Sequence, residues 1–327
     1  MTLDLLLLAV GLALLMLGGE TVVRGATGLA RNMGVSPLVV GLTVVAFGTS
    51  APELAVNVIA VSQGNGAIAF GNVIGSNMAN IGLIVGCTAM IRPIVLTSGV
   101  IAYEIPMMLA ATVVAVAMGF DQLRGAEQSV YDPIEGLVLL IFFLLFLRYT
   151  VGNFVRQRAS NGNGALPVLA REPGGGVWKH ALLTLFGLVL LIGGAKVSVD
   201  AAVDVARAFG VPEEVIGLTV LAVGTSLPEL VASLVATLRG HVGLAIGNVV
   251  GSNIFNLLLV LGVATLVDSV PVPPGGQLDL LVMALLSLLF FAVWKTRNRR
   301  IIRTDAVVLL LLYFGYLTWR SSQALGG

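Results

Sequence analysis

Residues 41–60 read GLTVVAFGTSAPELAVNVIA, and residues 217–236 read GLTVLAVGTSLPELVASLVA. Twelve of the twenty positions are identical at an offset of 176. The same offset, without a gap, carries GNVIGSNMANIGLIVG (71–86) onto GNVVGSNIFNLLLVLG (247–262), with nine of sixteen positions identical. It also carries Ala30-Arg31 and Gly34-Val35 onto Ala206-Arg207 and Gly210-Val211. Chance likeness between apolar segments does not hold GTSxPEL and GSNxxN in fixed register. The chain is a duplication, and the matched segments are its polar ones.

The surrounding composition says where those polar segments sit. Of 327 residues, 57% are hydrophobic and 11% charged, against roughly 25% charged in an average soluble domain. Mean hydropathy is +1.00. A soluble globule of this balance would expose large apolar patches and aggregate. A soluble enzyme, a disordered tail and a nucleic-acid binder are excluded. An outer-membrane barrel would need strands of alternating polarity. What remains is an all-α polytopic membrane protein whose partner is the lipid bilayer. Lys+Arg 18 against Asp+Glu 17 gives a net charge of +1 and names no partner. A lone Cys87 excludes an internal disulfide and a CxxC site. His180 and His241 fall at span ends, not at ligand spacing.

A spanning helix needs about 20 mostly apolar residues. Ten stretches qualify: 3–23, 37–61, 67–90, 99–119, 131–149, 178–200, 212–237, 243–267, 277–294 and 304–320. The opening MTLD has no basic n-region, so the first span is expected to persist rather than be cleaved. Of the 18 Lys and Arg residues, only Arg124, Arg207 and Arg320 fall on one side, with Lys196 inside a span; the other fourteen share the opposite side. That bias places the basic side in the cytoplasm and both termini outside it, in a plasma (inner) membrane. Five spans per copy is an odd number, so the second copy enters the membrane from the opposite side. The expectation is two inverted-topology repeats, residues 1–150 and 178–327. They are joined by a flexible cytoplasmic linker at 151–177 that carries Asn-Gly-Asn-Gly and a Gly174–Gly176 run. Secondary transporters use such repeats, with the site near the midplane where they meet.

Mid-span, Pro52 cannot donate to the Gly48 carbonyl, nor Pro228 to that of Gly224. Both helices are therefore expected to kink or break there. Carbonyls freed inside a membrane need protein, water or an ion as partner. One Gly/Pro pair alone would mean only a kink; two copies, each followed at once by a glutamate, mean more. Glu53 and Glu229 are the decisive residues. A mid-bilayer carboxylate costs about 2.5–3.5 kcal/mol on insertion scales, and neither span supplies a central Lys or Arg. Thr49 and Ser50 lie four and three residues before Glu53, on its face of the helix. The neighbouring span adds Ser76, Asn77 and Asn80, and its copy adds Ser252, Asn253 and Asn256. Asn77 and Asn253 are equally readable as glue between helices, and Asn72 and Asn248 are similarly open. Gly71-x3-Gly75 and Gly247-x3-Gly251 are expected to let this span approach its neighbour. Glu104, Asp268 and Asp279 are expected to be solvated or snorkelling near membrane edges. An all-oxygen set of carboxylate, hydroxyl, amide and carbonyl suits hard cations such as Ca2+ rather than transition metals. No GxxxxGK[ST] motor is visible, so an ion gradient must drive any transport.

At these residues the chain resembles the sodium/calcium exchanger branch of the cation/Ca2+ antiporter superfamily, in its compact prokaryotic form. The resemblance covers nearly the whole chain, and the paired GTSxPE and GNxxGSN motifs are specific to that group. It implies ten spans in two inverted halves of five. It also implies a site: Glu53 and Glu229 as central carboxylates, and Thr49 and Thr225 as carbonyl or hydroxyl donors to Ca2+ and Na+. Ser50, Ser226, Ser76 and Ser252 would be Na+ ligands, Ala46 and Ala222 carbonyl donors, and Asn80 and Asn256 flanking amides. Some relatives carry aspartate at the position of Asn256, and in the potassium-dependent branch that acid is associated with K+ use; its absence argues for no K+ requirement. The short linker cannot hold the large regulatory region of the animal exchangers. The first and sixth spans are expected to slide as a gate.

The resulting expectation is a secondary-active antiporter, not an enzyme, exchanging Na+ for Ca2+ by alternating access. It needs no cofactor, its ions are its cargo, and a monomer suffices. The rival on the same glutamates is a proton/Ca2+ antiporter, which the Thr-Ser pairs and extra serines disfavour. An intramembrane aspartyl protease would need GxGD-type aspartates, which are missing. A passive cation channel would conduct without a counter-ion.

Overall fold

The computed structural model describes residues 2–95, 101–121, 125, 128–161, 176–209, 224–297 and 300–326. Helices dominate them: α1 (Thr2–Met33), α2 (Pro37–Ser62), α3 (Gly66–Ile91), α4 (Ile101–Met118), α5 (Pro133–Asn161), α6 (Val177–Ala208), α7 (Leu227–Leu238), α8 (Val242–Val267), α9 (Gly276–Thr296) and α10 (Arg303–Gly326). Among the described residues, seven helices are long and apolar enough to cross a membrane: α1, α2, α3, α5, α6, α8 and α9. Leu5, Leu12, Leu17, Leu144, Leu185 and Leu311 are among many exposed large apolar side chains. In water they would be a liability; against lipid they are the expected outer surface.

Two short antiparallel ladders cap the bundle. β1 (Ile94–Val95) pairs with β4 (Arg300–Ile301), and β2 (Val130–Tyr131) with β3 (Val270–Pro271). Each joins the strand that follows the GNxxGSN helix of one half to the strand that precedes the last helix of the other. The offset of 176 carries Ile94 onto Val270, so β1 and β3 correspond and their partners come from opposite halves.

α1 and α6 pack antiparallel along their lengths. Glycines recur every seven residues on both helices, at Gly11, Gly18 and Gly25 on α1 and Gly187 and Gly194 on α6. A Cβ on Gly18 would lie 2.6 Å from the Leu191 backbone nitrogen, and one on Gly187 2.6 Å from that of Val22. Backbones therefore touch, as small residues allow inside a bilayer. Both helices run past their expected ends at 23 and 200.

Behind this pair, α2, α3, α7 and α8 form the inner bundle that holds the buried polar residues. The expected close approach is present in the second copy. A Cβ on Gly247 would meet the Leu38 carbonyl at 2.3 Å, and one on Gly251 that of Leu42 at 2.5 Å. Gly71 and Gly75 face no such atom among the described residues; their counterparts of Leu38 and Leu42, positions 214 and 218, lie outside them.

Candidate functional site

The expected breaks fall where proline dictates. α2 is α-helical over Ala46–Thr49, leaves helical geometry at Ser50 (φ −85°, ψ 0°) and resumes at Ala51–Ser62. α7 begins at Leu227 after Ser226, which has φ −91° and ψ 6°. The first helical turn after each break carries its proline and glutamate, so Glu53 and Glu229 project from matching positions.

Both glutamates are 1% exposed. Among the described residues neither Glu53 oxygen has a hydrogen-bond partner, nor does Glu229 Oε2. Ser50 Oγ donates to Glu229 Oε1 at 3.3 Å, across the halves. Among the described residues no Lys or Arg pairs with either carboxylate. The same buried region holds Ser76, Asn80, Ser226, Ser252 and Asn256, whose side-chain polar atoms are also unpartnered. A buried carboxylate without a cation, beside hydroxyls and amides without partners, is costly unless a cation supplies the charge. Among the described residues no group of three His, Cys, Asp or Glu could hold a metal. The available ligands are those of a hard-cation site.

Thr49 is fully buried, and its hydroxyl reaches Asn248 Oδ1 at 3.2 Å. Thr225 is partly exposed and accepts from Asn72 Nδ2 at 3.1 Å. The Ala46 carbonyl accepts the Ser50 N–H at 3.0 Å and also lies 3.3 Å from the Thr49 hydroxyl. Ala222 lies outside the described residues.

Some features were not expected. Among the described residues three stretches coil as π-helix: Gly41–Val45 in α2, Asn80–Val85 in α3 and Phe255–Val260 in α8. Asn80 opens one and Asn256 is the second residue of another. π-turns occur often at functional sites and shift backbone bonding by one residue. Asn72 and Asn248, left open by the sequence, bridge the two halves. Asn77 and Asn253 do not glue helices; each amide turns back on its own helix, to Val73 O at 2.7 Å and Val249 O at 3.1 Å. Glu104 is not solvated: it is 1% exposed, and among the described residues its carboxylate has no hydrogen-bond partner. Asp279 pairs with Arg320 at 3.2 Å and accepts from the Tyr316 hydroxyl. His180 serves α1–α6 packing, with its Nδ1 2.9 Å from Asn32 Nδ2.

Fold and site together define a multi-pass helical membrane protein with an all-oxygen polar centre. The chain belongs to the sodium/calcium exchanger family: the family model for "Sodium/calcium exchanger protein" matches residues 3–152 and again 179–321. It is 39% identical over 312 residues to a candidate antiporter, CaxA, of Alkalimonas amylolytica, covering 94% of this chain and 95% of that one. It is 33% identical over 343 residues to the sodium/calcium exchanger MaX1 of Methanosarcina acetivorans, covering 97% and 98%. Among solved structures it matches the sodium-calcium exchanger NCX_Mj in crystals soaked with 2.5 mM Na+ and 10 mM Sr2+. That match has a TM-score of 0.82 and 33% identity over 97% of this chain and 98% of that one. The chain is thus a cation/Ca2+ antiporter of a transporter family, not of a catalytic one.

Proposed function

We propose that the protein exchanges Na+ for Ca2+ by alternating access, with both ions competing for one set of mid-membrane oxygens. The carrying observation is the pair Glu53 and Glu229, each 1% exposed and, among the described residues, without a cationic side chain beside it. Two carboxylates neutralise one Ca2+, and several Na+ could share the same oxygens. The ligands are the carboxylates, the Thr49, Thr225, Ser50, Ser226, Ser76 and Ser252 hydroxyls, the Asn80 and Asn256 amides, and the Ala46 and Ala222 carbonyls. Without an ion, two buried carboxylates lack counter-charge, and an occluded state is costly unless a proton binds. That cost opposes return of the unloaded carrier and so enforces exchange.

The architecture we infer is ten spans in two inverted halves, 1–150 and 178–327, joined by a cytoplasmic linker at 151–177. The 176-residue offset, the crossed ladder pairing and the double family match support this reading. Both termini then lie outside the cytoplasm, in an inner membrane; one relative is named Inner membrane protein YrbG, of Escherichia coli, at 35% identity. In this orientation Asn72–Thr225 faces outward and is partly exposed, while Asn248–Thr49 faces inward and is buried, which favours access from outside.

Radioactive Ca2+ uptake into proteoliposomes, with Na+, K+ and proton gradients imposed separately, tests the coupling. Uptake driven by Na+ alone is expected. Uptake driven by a pH gradient without Na+ would replace this reading with proton/Ca2+ antiport on the same glutamates.

A further inference from the structure

The two halves differ at a buried position beside the broken helices: Asn57 in the first corresponds to Ser233 in the second, and both are 0% exposed. Asn57 Nδ2 donates to the Glu53 backbone carbonyl at 2.7 Å and to Asn72 Oδ1 at 2.8 Å. A carbonyl only accepts, so it fixes which end of the Asn57 amide faces it. Asn72 must then turn its oxygen to Asn57 and its N–H to Thr225 Oγ1, at 3.1 Å. In the second half a serine stands where Asn57 stood, and the matching carbonyl goes to Asn248. Asn248 Nδ2 donates to Glu229 O at 3.4 Å and to Ser233 Oγ at 3.1 Å. Its oxygen accepts from Thr49 Oγ1 at 3.2 Å.

The two bridging amides therefore point in opposite senses. Among the described residues the Thr49 hydroxyl meets only acceptors: Val45 O at 3.1 Å, Ala46 O at 3.3 Å, Asn248 Oδ1 and the Glu229 carboxylate. Its proton is committed and both of its lone pairs stay free. Thr225 spends one lone pair on the Asn72 N–H. A hard cation binds oxygen through lone pairs, so the two repeated threonines are unequal ligands.

We propose that Asn72 and Asn248 are positioning residues for Thr225 and Thr49, and that the Asn57/Ser233 difference sets them in opposite senses, making Thr49 the stronger Na+ ligand. The inference rests on the Na+/Ca2+ reading above. It makes the two mirrored ends of the site inequivalent through residues that touch no ion.

The test uses the full-length protein in proteoliposomes with two readouts: the Na+ concentration for half-maximal Ca2+ exchange, and Ca2+/Ca2+ self-exchange without Na+. In N57S, Asn72 turns over to copy Asn248, Thr225 becomes a donor, and half-maximal Na+ falls about fivefold, the scale of one hydrogen bond. In S233N, Asn248 turns its N–H to Thr49 and half-maximal Na+ rises by a similar factor. The double variant N57S/S233N exchanges the two senses and returns near the parent value. Self-exchange persists in N57S. Because S233N adds volume at a fully buried site, N57S decides the matter if S233N does not fold. Unchanged half-maximal Na+ in N57S would overturn the proposal. So would loss of its self-exchange, which would reduce Asn57 to a scaffold. Absence of Na+-driven flux in the parent protein would instead defeat the Na+/Ca2+ reading, and is seen separately.

Discussion

Ser50 Oγ lies 3.3 Å from Glu229 Oε1, although the two residues are 179 positions apart in the chain. The hydroxyl sits at the break in α2 and the carboxylate on the first turn of α7. The contact ties the deformed turn of one half to the acid of the other. Removing it in S50A leaves a buried carboxylate oxygen without its donor. A hydrogen bond to a charged group is worth about 1.5–3 kcal/mol. Na+-driven Ca2+ uptake is expected to fall roughly tenfold or more in S50A and to survive largely in S50T. Equal rates in S50A and the parent protein would remove Ser50 from the site.

The contact between α1 and α6 depends on the absence of side chains. A Cβ on Gly18 would meet the Leu191 nitrogen at 2.6 Å, and backbone cannot swing aside. G18A is expected to lower stability by about 1–3 kcal/mol, the usual cost of overpacking, and G18L by more. Thermal unfolding in detergent reads both. A G18A protein as stable as its parent would mean that these helices separate at no cost.

Glu20 on α1 pairs with Arg24 at 2.8 Å and with Arg239, just after α7, at 2.7 Å. At the corresponding position on α6, Lys196 has a 79% exposed side chain and, among the described residues, pairs with Asp200 at 3.9 Å on its own helix. Among the described residues, α1 is therefore tied to the inner bundle at this position and α6 is not. Exposed pairs are worth about 0–1 kcal/mol, so E20Q and R239Q should barely change stability. Each is expected to shift the turnover rate in the same direction, and the double variant to add nothing further. Additive effects in that cycle would separate the two residues.

His241 caps α8 outside the spanning segments. Burial, and then the Arg31 charge, hold its pKa below the ordinary value of 6.5. The folded state therefore favours the neutral ring. The unfolded chain takes up its proton first as pH falls, so this contribution is complete above pH 6.5 and is lost on acidification through the folded value. H241Q is expected to flatten the pH dependence of thermal stability in that window. An unchanged slope would assign the dependence to other groups.

The duplication carried most of the candidate site. Pro52 and Pro228 announced the breaks seen at Ser50 and Ser226, because a missing N–H acts locally whatever surrounds it. Burial of Glu53 and Glu229 followed from their mid-span placement. The π-turns did not show, since they shift hydrogen bonds along a helix without changing its apolar pattern. Asn77 and Asn253 were ambiguous because an amide can bond to its own turn as easily as to a neighbour. The senses of Asn72 and Asn248 depend on Asn57 and Ser233, which come near them only in three dimensions. Glu104 looked like an edge residue because its burial comes from packing. The seven-residue glycine spacing on α1 and α6 was present in the chain and would have predicted their close contact.

The most direct test is Ca2+ flux driven by a Na+ gradient in proteoliposomes carrying E53Q, E229Q or the parent protein. Each glutamine keeps the side-chain size and removes the charge that the cation is held to balance. Flux is expected to be abolished in either single variant while both still fold. Parent-level flux in either one would contradict it.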